Sequence, residues 1–325
     1  MALSPLGTLT NPGENNGGGD FIELFLEKYA GEVSEAYKEE LILLPRSRVR
    51  TLKGAKSAQF PATGNLTADY HLRGERYDDD GQLSEMVVGE RLIHLDRPVF
   101  NATFVDEWEE MVNHFDVRGP IATGQGHALA KHTETNLFRL LVQGATKTGP
   151  MTDHPTGNVI TSAAAATSGA DLVEAIEDMV QYWDENDVPQ EGRYAAFRPA
   201  QYRLLTEQTE FHNVEIGNGG NGSRKMGTIG MVSGVEILKS NLVPSTNFTT
   251  IPAYATNGMV NDYRADATNG IGVFGTSRAL GVVQLQGVEI AAIPHQMLDG
   301  TIFKAKKAIG AGVLRESDCG FLQTA

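Results

Sequence analysis

Several short strings in this 325-residue chain carry the residue types of a ligand or reaction site, and each would require a particular structural setting. Gly217, Gly219 and Gly222 in IGNGGNGS match the GxGxxG spacing that lets backbone approach a dinucleotide pyrophosphate. That loop must close a strand and open a helix, so that the phosphates meet the helix N-terminus. The residues after it are strand-like and glycine-rich, so we read a surface loop. GAKS (54–57) resembles the end of a phosphate-binding loop, but Ala55 stands where a glycine is needed and no helix is expected to follow. The eight histidines, at 71, 94, 114, 127, 132, 154, 212 and 295, contain no HxxxH or HExxH pair. His127 and His132 are closest; five helical residues turn about 500°, which leaves them roughly 140° apart and unable to share a metal easily. Capping, core or surface roles are expected instead.

Asp78, Asp79 and Asp80 could offer carboxylates to Ca²⁺ or Mg²⁺, yet the distal glutamate of a calcium loop is missing and a solvated turn is the reading. No GxSxG elbow surrounds a serine. The single cysteine, Cys319, excludes an intrachain disulfide and a cysteine-rich zinc site and reads as a small buried hydrophobe, consistent with a reducing cytoplasm. The sequence therefore predicts no catalytic constellation, no metal and no cofactor. A formal charge of −14 argues against a protein whose main work is gripping phosphate, so any DNA contact should be weak or local. No apolar run is long enough to span a bilayer, and the first 20 residues have neither a basic start nor an apolar core, so no membrane role is expected.

The elements that would position any site follow from pattern. Length predicts two or three packed lobes, or one large core with long excursions. Residues 11–19, NPGENNGGG, read as a linker, which makes residues 1–19 a flexible arm. Asp20 caps a short amphipathic helix over FIELFLEKYAGEVSEAYKEE. Asp106 caps a second over EWEEMVNHF, expected to pack through Trp108, Met111, Val112 and Phe115. Pro120 starts a long helix to Gln143, about 36 Å, with Gly124 and Gly126 predicting a bend or a late start. Ser168 or Asp171 opens a helix with Leu172, Val173, Ile176, Met179, Val180 and Trp183 on one stripe, and Pro189 ends it. RYAAF (193–197) reads as a buried strand and PAQYRLLTE (199–207) as a short helix; the remainder is strand-like with glycine punctuation. The class is α+β.

Charge is segregated. Between Leu41 and Ala68 lie Arg46, Arg48, Arg50, Lys53 and Lys56 and no acid; between Asp69 and Glu90 lie seven acids, including Asp78, Asp79 and Asp80, against Arg73 and Arg76. With strand-like segments on each side of DDDG, and RLIHLDRPVFNATF (91–104) alternating as a returning strand, this predicts one long hairpin over 46–98 with a basic and an acidic side. Its strands are too poor in large apolar residues to build a core, so it must lie on something else.

GAKSAQFPATG (54–64) and WEEMVNHFDVRGP (108–120) resemble the GKSAQFP and NHYDVRS segments of the major capsid proteins of short-tailed, autographivirus-type bacteriophages. GTIGMVSGVEIL (227–238) is similar to that family's strand pair around VxGFEV, whereas 245–269 looks like an insertion or rearrangement. The resemblance implies the tailed-phage capsid fold: an N-terminal arm and short helix (1–45), an extended hairpin loop (46–98), a peripheral domain with its spine helix near 120–143 (99–168), an axial domain (169–290) and a return to the peripheral domain (291–325). It implies self-assembly into hexamers and pentamers of an icosahedral head around double-stranded DNA, in the cytoplasm of a host bacterium, with a scaffolding protein during assembly and a portal at one vertex. The virion would be the chain's final location. The residues expected to touch the neighbouring subunit are Arg46, Arg48, Arg50, Lys53, Lys56 and Asp78–Asp80. Rival readings are the shell of an encapsulin-type nanocompartment and, in a different class, a soluble nucleotide-dependent enzyme resting on the 217–222 loop.

Overall fold

Helix α1 (Arg118–Thr146) runs 29 residues, about 43 Å. Buried residues recur every three or four positions from Ala122 to Glu134, then become nearly continuous from Asn136 to Ala145. The helix therefore starts on the surface and ends enclosed on all sides. Pro120 sits in the first turn, where a missing N–H leaves no helical bond unmade. Gly124 and Gly126 do not delay the start as their propensities predict. At Gly126 the reason is contact: a Cβ there would lie 2.7 Å from Val33 O and 2.8 Å from Ala36 Cβ, so glycine lets the N-terminal segment cross closely.

The computed structural model describes residues 32–33, 35–37, 41–63, 88–106, 108, 118–147, 155–207, 222–223, 228–250, 259–285, 287–295 and 299–324. The predicted arm 1–19, most of the first amphipathic helix, the Asp78–Asp80 turn and all of the 107–115 helix except Trp108 lie outside these residues. Of the first helix, Glu32, Val33 and Glu35–Tyr37 are helical, and Val33, Ala36 and Tyr37 are buried.

The strands are β1 (Arg48–Thr51), β2 (Ser57–Thr63), β3 (Val88–His94), β4 (Val99–Asp106), β5 (Asn158–Thr161), β6 (Arg193–Phe197), β7 (Gly222–Ser223), β8 (Thr228–Ile229), β9 (Met231–Val232) and β10 (Val235–Lys239). The C-terminal part adds β11 (Asn247–Phe248), β12 (Ala265–Asp266), β13 (Gly270–Thr276), β14 (Leu280–Gln284), β15 (Glu289–His295), β16 (Gly300–Lys307), β17 (Ile309–Val313) and β18 (Gly320–Gln323). A six-stranded sheet in the order β5-β18-β13-β6-β10-β9 divides the core. Every residue of β6 is buried. Tyr194 and Ala196 face the cluster built on α1, while Ala195 and Phe197 face the one built on α2 (Gly169–Glu185). Period-two alternation thus separates two cores rather than core from water.

Helix α2 opens at Ser168, whose hydroxyl accepts from Asp171 N at 3.4 Å, so Ser168 is the cap and Asp171 lies in the first turn. Leu172, Ile176, Met179 and Trp183 are buried as predicted, with Ala175 among them, while Val173 and Val180 are half-buried. The indole of Trp183 meets Phe274 edge-on at 6.4 Å, and Phe274 meets Phe197 at 5.8 Å. Helix α3 (Pro199–Glu207) starts on its proline as expected.

Three predicted spans differ. Residues 91–104 form two strands rather than one returning strand, because Asp96 and Pro98 break the ladder: β3 pairs with β2, and β4 pairs with β16. The basic stretch does not form one side of the hairpin, since β1 pairs in parallel with β14, more than 200 residues later in sequence. The C-terminal strands diverge. β16 joins β4 and β17 joins β14, but β18 lies between β5 and β13 inside the six-stranded sheet, which also takes β5 away from the 99–168 lobe.

Candidate intersubunit surface

The hairpin stem runs from Ser57 opposite His94 to Thr63 opposite Val88. Its lower end is seated: Ala58, Phe60 and Ile93 bury against Val283 of β14 and Leu314. Glycines on the receiving sheet make room. A Cβ at Gly281 would lie 2.8 Å from Ile93 Cδ1, and one at Gly310 only 1.9 Å from His94 O. At Gly310 the obstacle is backbone, so a side chain cannot be relieved by a rotamer change. Gly310→Ala is expected to cost about 3 kcal/mol or more and to expose the stem to limited proteolysis; unchanged melting and cleavage would show that the stem is not seated there.

Polar bonds finish the anchorage. Arg91 pairs with the buried carboxylate of Glu316. Asp96 accepts from the amides of Val260 at 2.7 Å and Asn261 at 3.0 Å and from the Tyr263 hydroxyl, and that hydroxyl in turn accepts from Ala311 N at 3.0 Å. Burial, helped by the Asp96 charge, holds the Tyr263 phenol well above its ordinary pKa and keeps it a donor. A cavity of about 350 Å³ lies beside this knot, lined by Pro98, Phe100, His132, Leu137 and Ile309. Burial and then Arg139 pull the His132 pKa down, against Asp96. Apolar side chains of the stem stay exposed among the described residues: Val88, at its far end, is 60% and Leu92, on the face opposite Ile93, 46% exposed.

The five basic residues have different fates. Arg46 is engaged, with Nε 3.0 Å and Nη2 2.5 Å from the two oxygens of Glu236 and Nη1 donating to Ile42 O at 2.8 Å. Arg50 lies 4.6 Å over the Phe60 ring and donates to Gln59 O at 2.6 Å. Arg48, Lys53 and Lys56 are exposed and make no ion pair among the described residues. The structure thus divides the predicted contact set into two intrachain braces and three outward cations. Asp78, Asp79 and Asp80 lie outside the described residues.

A second surface gave no sequence signal. In the antiparallel sheet β15-β16-β4, Ile293, Ile302 and Phe104 form one cross-strand row and Glu289, Lys306 and Phe100 another. Phe100 is 63%, Phe104 41% and Ile293 47% exposed, while alternate residues Phe303 and Ala305 are buried toward α1. Trp108, expected to pack, is also exposed, although Asp106 Oδ1 does cap that turn by accepting from Trp108 N at 2.8 Å. Contiguous apolar exposure of this kind marks an interaction face.

The strings with reactive residue types have plain structural settings. Gly222 lies in the short strand β7, and Gly217 and Gly219 lie outside the described residues. Ser57, which ends GAKS, opens a strand rather than a helix. Cys319 is fully buried, and burial pushes its thiol pKa up, the condition of an unreactive core cysteine. Among the described residues no three His, Cys, Asp or Glu side chains group as a metal site, and no helix is long and apolar enough to cross a membrane.

The comparisons with known proteins bear on this geometry directly. Residues 59–323 match the model of the Gp10A-like family, described as major capsid protein. The chain belongs to the Gp10A-like major capsid protein family. The match begins at Gln59 in the stem and ends in β18, so it includes most of the hairpin stem, α1, the six-stranded sheet and the β15-β16-β4 sheet, and leaves out β1. The major capsid protein of Escherichia phage T7 is 25% identical over 93% of this chain and 92% of its own length. That of Enterobacteria phage T3 is 33% identical over 121 residues, 37% of this chain and 34% of its own length, so that alignment spans about a third of the relative. The solved capsid of the cyanophage P-SCSP1u superposes with a TM-score of 0.76 at 30% identity, covering 88% of each chain. This capsid protein is accordingly structural rather than enzymatic, and its α+β architecture is that of phage shells.

Proposed function

We propose that copies of this capsid protein assemble into hexameric and pentameric capsomers of an icosahedral phage head that encloses double-stranded DNA. The hairpin of each copy lies across a neighbour. Assembly takes place in the bacterial cytoplasm with a scaffolding protein, and a portal occupies one vertex. Residues 46–98 then act as the extended loop, α1 as the spine helix and the six-stranded sheet as the centre of the axial domain. The observation that carries the hairpin's role is that its stem is locked on one face by Ile93, Phe60, Arg91 and Asp96, yet leaves Leu92 exposed on the opposite face and Val88 exposed at its far end. A stem locked on one face with apolar side chains exposed on the other suits an arm whose remaining burial comes from another subunit. The outward cations supply orientation more than affinity. The net charge of −14 suits a wall that does not hold phosphate tightly.

Expression alone and with a scaffolding protein, followed by electron microscopy, tests the reading: shells, tubes or capsomers are expected, and a persistently monomeric chain under both conditions overturns it. Arg48→Glu/Lys53→Glu/Lys56→Glu should block capsomers while preserving the circular dichroism of the subunit. Arg46 and Arg50 are left intact because they brace the fold. Normal particles from the triple variant would remove these cations from the interface.

A further inference from the structure

The cavity beside the Asp96 knot has the parts of a ligand pocket that shell building does not use. Its volume of about 350 Å³ falls in the range of small-molecule sites. Three parts of the chain enclose it: the β3–β4 link with the start of β4, the middle of α1, and the start of β17 with Met259 and Tyr263. Its floor is buried and apolar at Leu137, Ile309 and Ala311, whereas Arg97, Pro98, Phe100 and His132 stand exposed around the mouth. Charge selects what can enter. Asp96, the one carboxylate of the lining, is fully engaged: one oxygen accepts from Val260 N, Asn261 N and Asn261 Nδ2, and the other from the Tyr263 hydroxyl. Arg97 makes no hydrogen bond or ion pair among the described residues. Asn136 accepts from Arg139 Nη1 at 3.3 Å through Oδ1, which leaves its NH₂ group as a donor. One uncommitted cation and an amide donor thus lie over an apolar recess, with no uncommitted carboxylate to oppose an anion.

We propose that this cavity binds a small carboxylate with a linear apolar tail, its head against Arg97 and Asn136 and its tail against Leu137, Ile309 and Met259. At roughly 30 Å³ for a group the size of a water, the space takes about a dozen heavy atoms, the size of decanoate. Burial of the tail supplies binding, and the guanidinium selects the charged head over a neutral one. A nucleic-acid backbone would engage Arg97 but has no apolar part for the floor. Because the lining comes from the β3–β4 link, α1 and β17, a bound ligand ties the root of the hairpin to the two elements beneath it.

Calorimetric titration of the full-length subunit with decanoate and with decanol decides the matter. Saturable binding of decanoate at a single site is expected, with increased hydrogen-exchange protection over residues 95–100. Arg97→Gln changes an exposed side chain that braces nothing; it should weaken decanoate by about tenfold or more and leave decanol unchanged. Met259→Trp should fill the recess and abolish binding of both. Ile293→Asn, on the exposed face of the β15-β16-β4 sheet, should alter neither. The arginine variant carries the test by itself if the tryptophan variant does not fold. No saturable binding, unchanged decanoate affinity in Arg97→Gln, or binding that survives Met259→Trp and is lost in Ile293→Asn would overturn the site. So would a subunit that binds decanoate beside an assembled shell that does not, since a neighbouring copy's side chain would then be the occupant.

Discussion

Replacing Glu134 with alanine is expected to destabilise the unassembled subunit by about 3–5 kcal/mol, read as a fall in its denaturant midpoint. Glu134 is fully buried on α1, and its two oxygens accept the amides of three consecutive residues, Ile42 at 3.2 Å, Leu43 at 3.0 and 3.1 Å and Leu44 at 3.2 Å. Those amides open the 3-10 turn Leu44–Arg46, which has no side-chain cap of its own. One carboxylate thus serves a whole turn, and truncation strands N–H groups where water does not reach. Burial raises the Glu134 pKa while the three amides lower it, so the bonds offset part of a large desolvation cost. Glu134→Gln should recover less than half of the loss, because its amide presents donors to donors. An alanine variant with an unchanged midpoint would show that the turn is held by packing of Leu43 and Leu44 alone.

That node also marks the limit of what the sequence discloses. In pattern, Glu134 is an acid on an amphipathic helix, and such residues are ordinarily solvated; only the approach of Ile42–Leu44, some 90 residues away, makes it a cap. Elements whose reason is local were legible. Ser168 and the Leu172–Trp183 stripe define α2, and Pro199 defines the start of α3. Elements whose reason is distant were not. Arg48-Val49-Arg50-Thr51 has no apolar face to announce a partner, so its pairing with β14 could not be read from alternation. Phe100 and Phe104 alternate with Val99, Asn101 and Thr103, which gives a strand but not the side that water sees; that follows from α1 covering the Phe303 face. The segregation of charge between 41–68 and 69–90 was visible in full, but the division of the cations into braces and outward groups depended on Glu236 and Phe60.

Lys307→Met is expected to make the subunit more stable at pH 7, by about 1–3 kcal/mol, against the usual direction of a core substitution. Lys307 ends β16 and is 6% exposed. Its Nζ donates to Tyr37 Oη at 2.7 Å and lies 4.0 Å from the centre of that ring, and no ion pair reaches it among the described residues. A phenol and a ring face do not replace the lost water, and burial lowers the lysine pKa from 10.5 to about 8. Below pH 8 both folded and unfolded chains carry the charge, and the folded one bears the cost. Between pH 8 and 10.5 the unfolded chain holds the proton more tightly, so stability rises with pH. Tyr37 opposes this from about pH 10, since burial chiefly, with Glu134 adding, raises its pKa to about 12 and its contribution is lost as pH climbs to that value. Wild type should therefore gain stability from pH 8 to about 10, and the methionine variant should be flat there. Tyr37 keeps its bond to Thr133 in the variant. The charge sits where the 32–37 segment meets β16, so removing it should also increase hydrogen-exchange protection in that segment. A variant less stable at pH 7, or one that still gains between pH 8 and 10, would place the titrating group elsewhere and make Lys307 a net brace of the N-terminal segment.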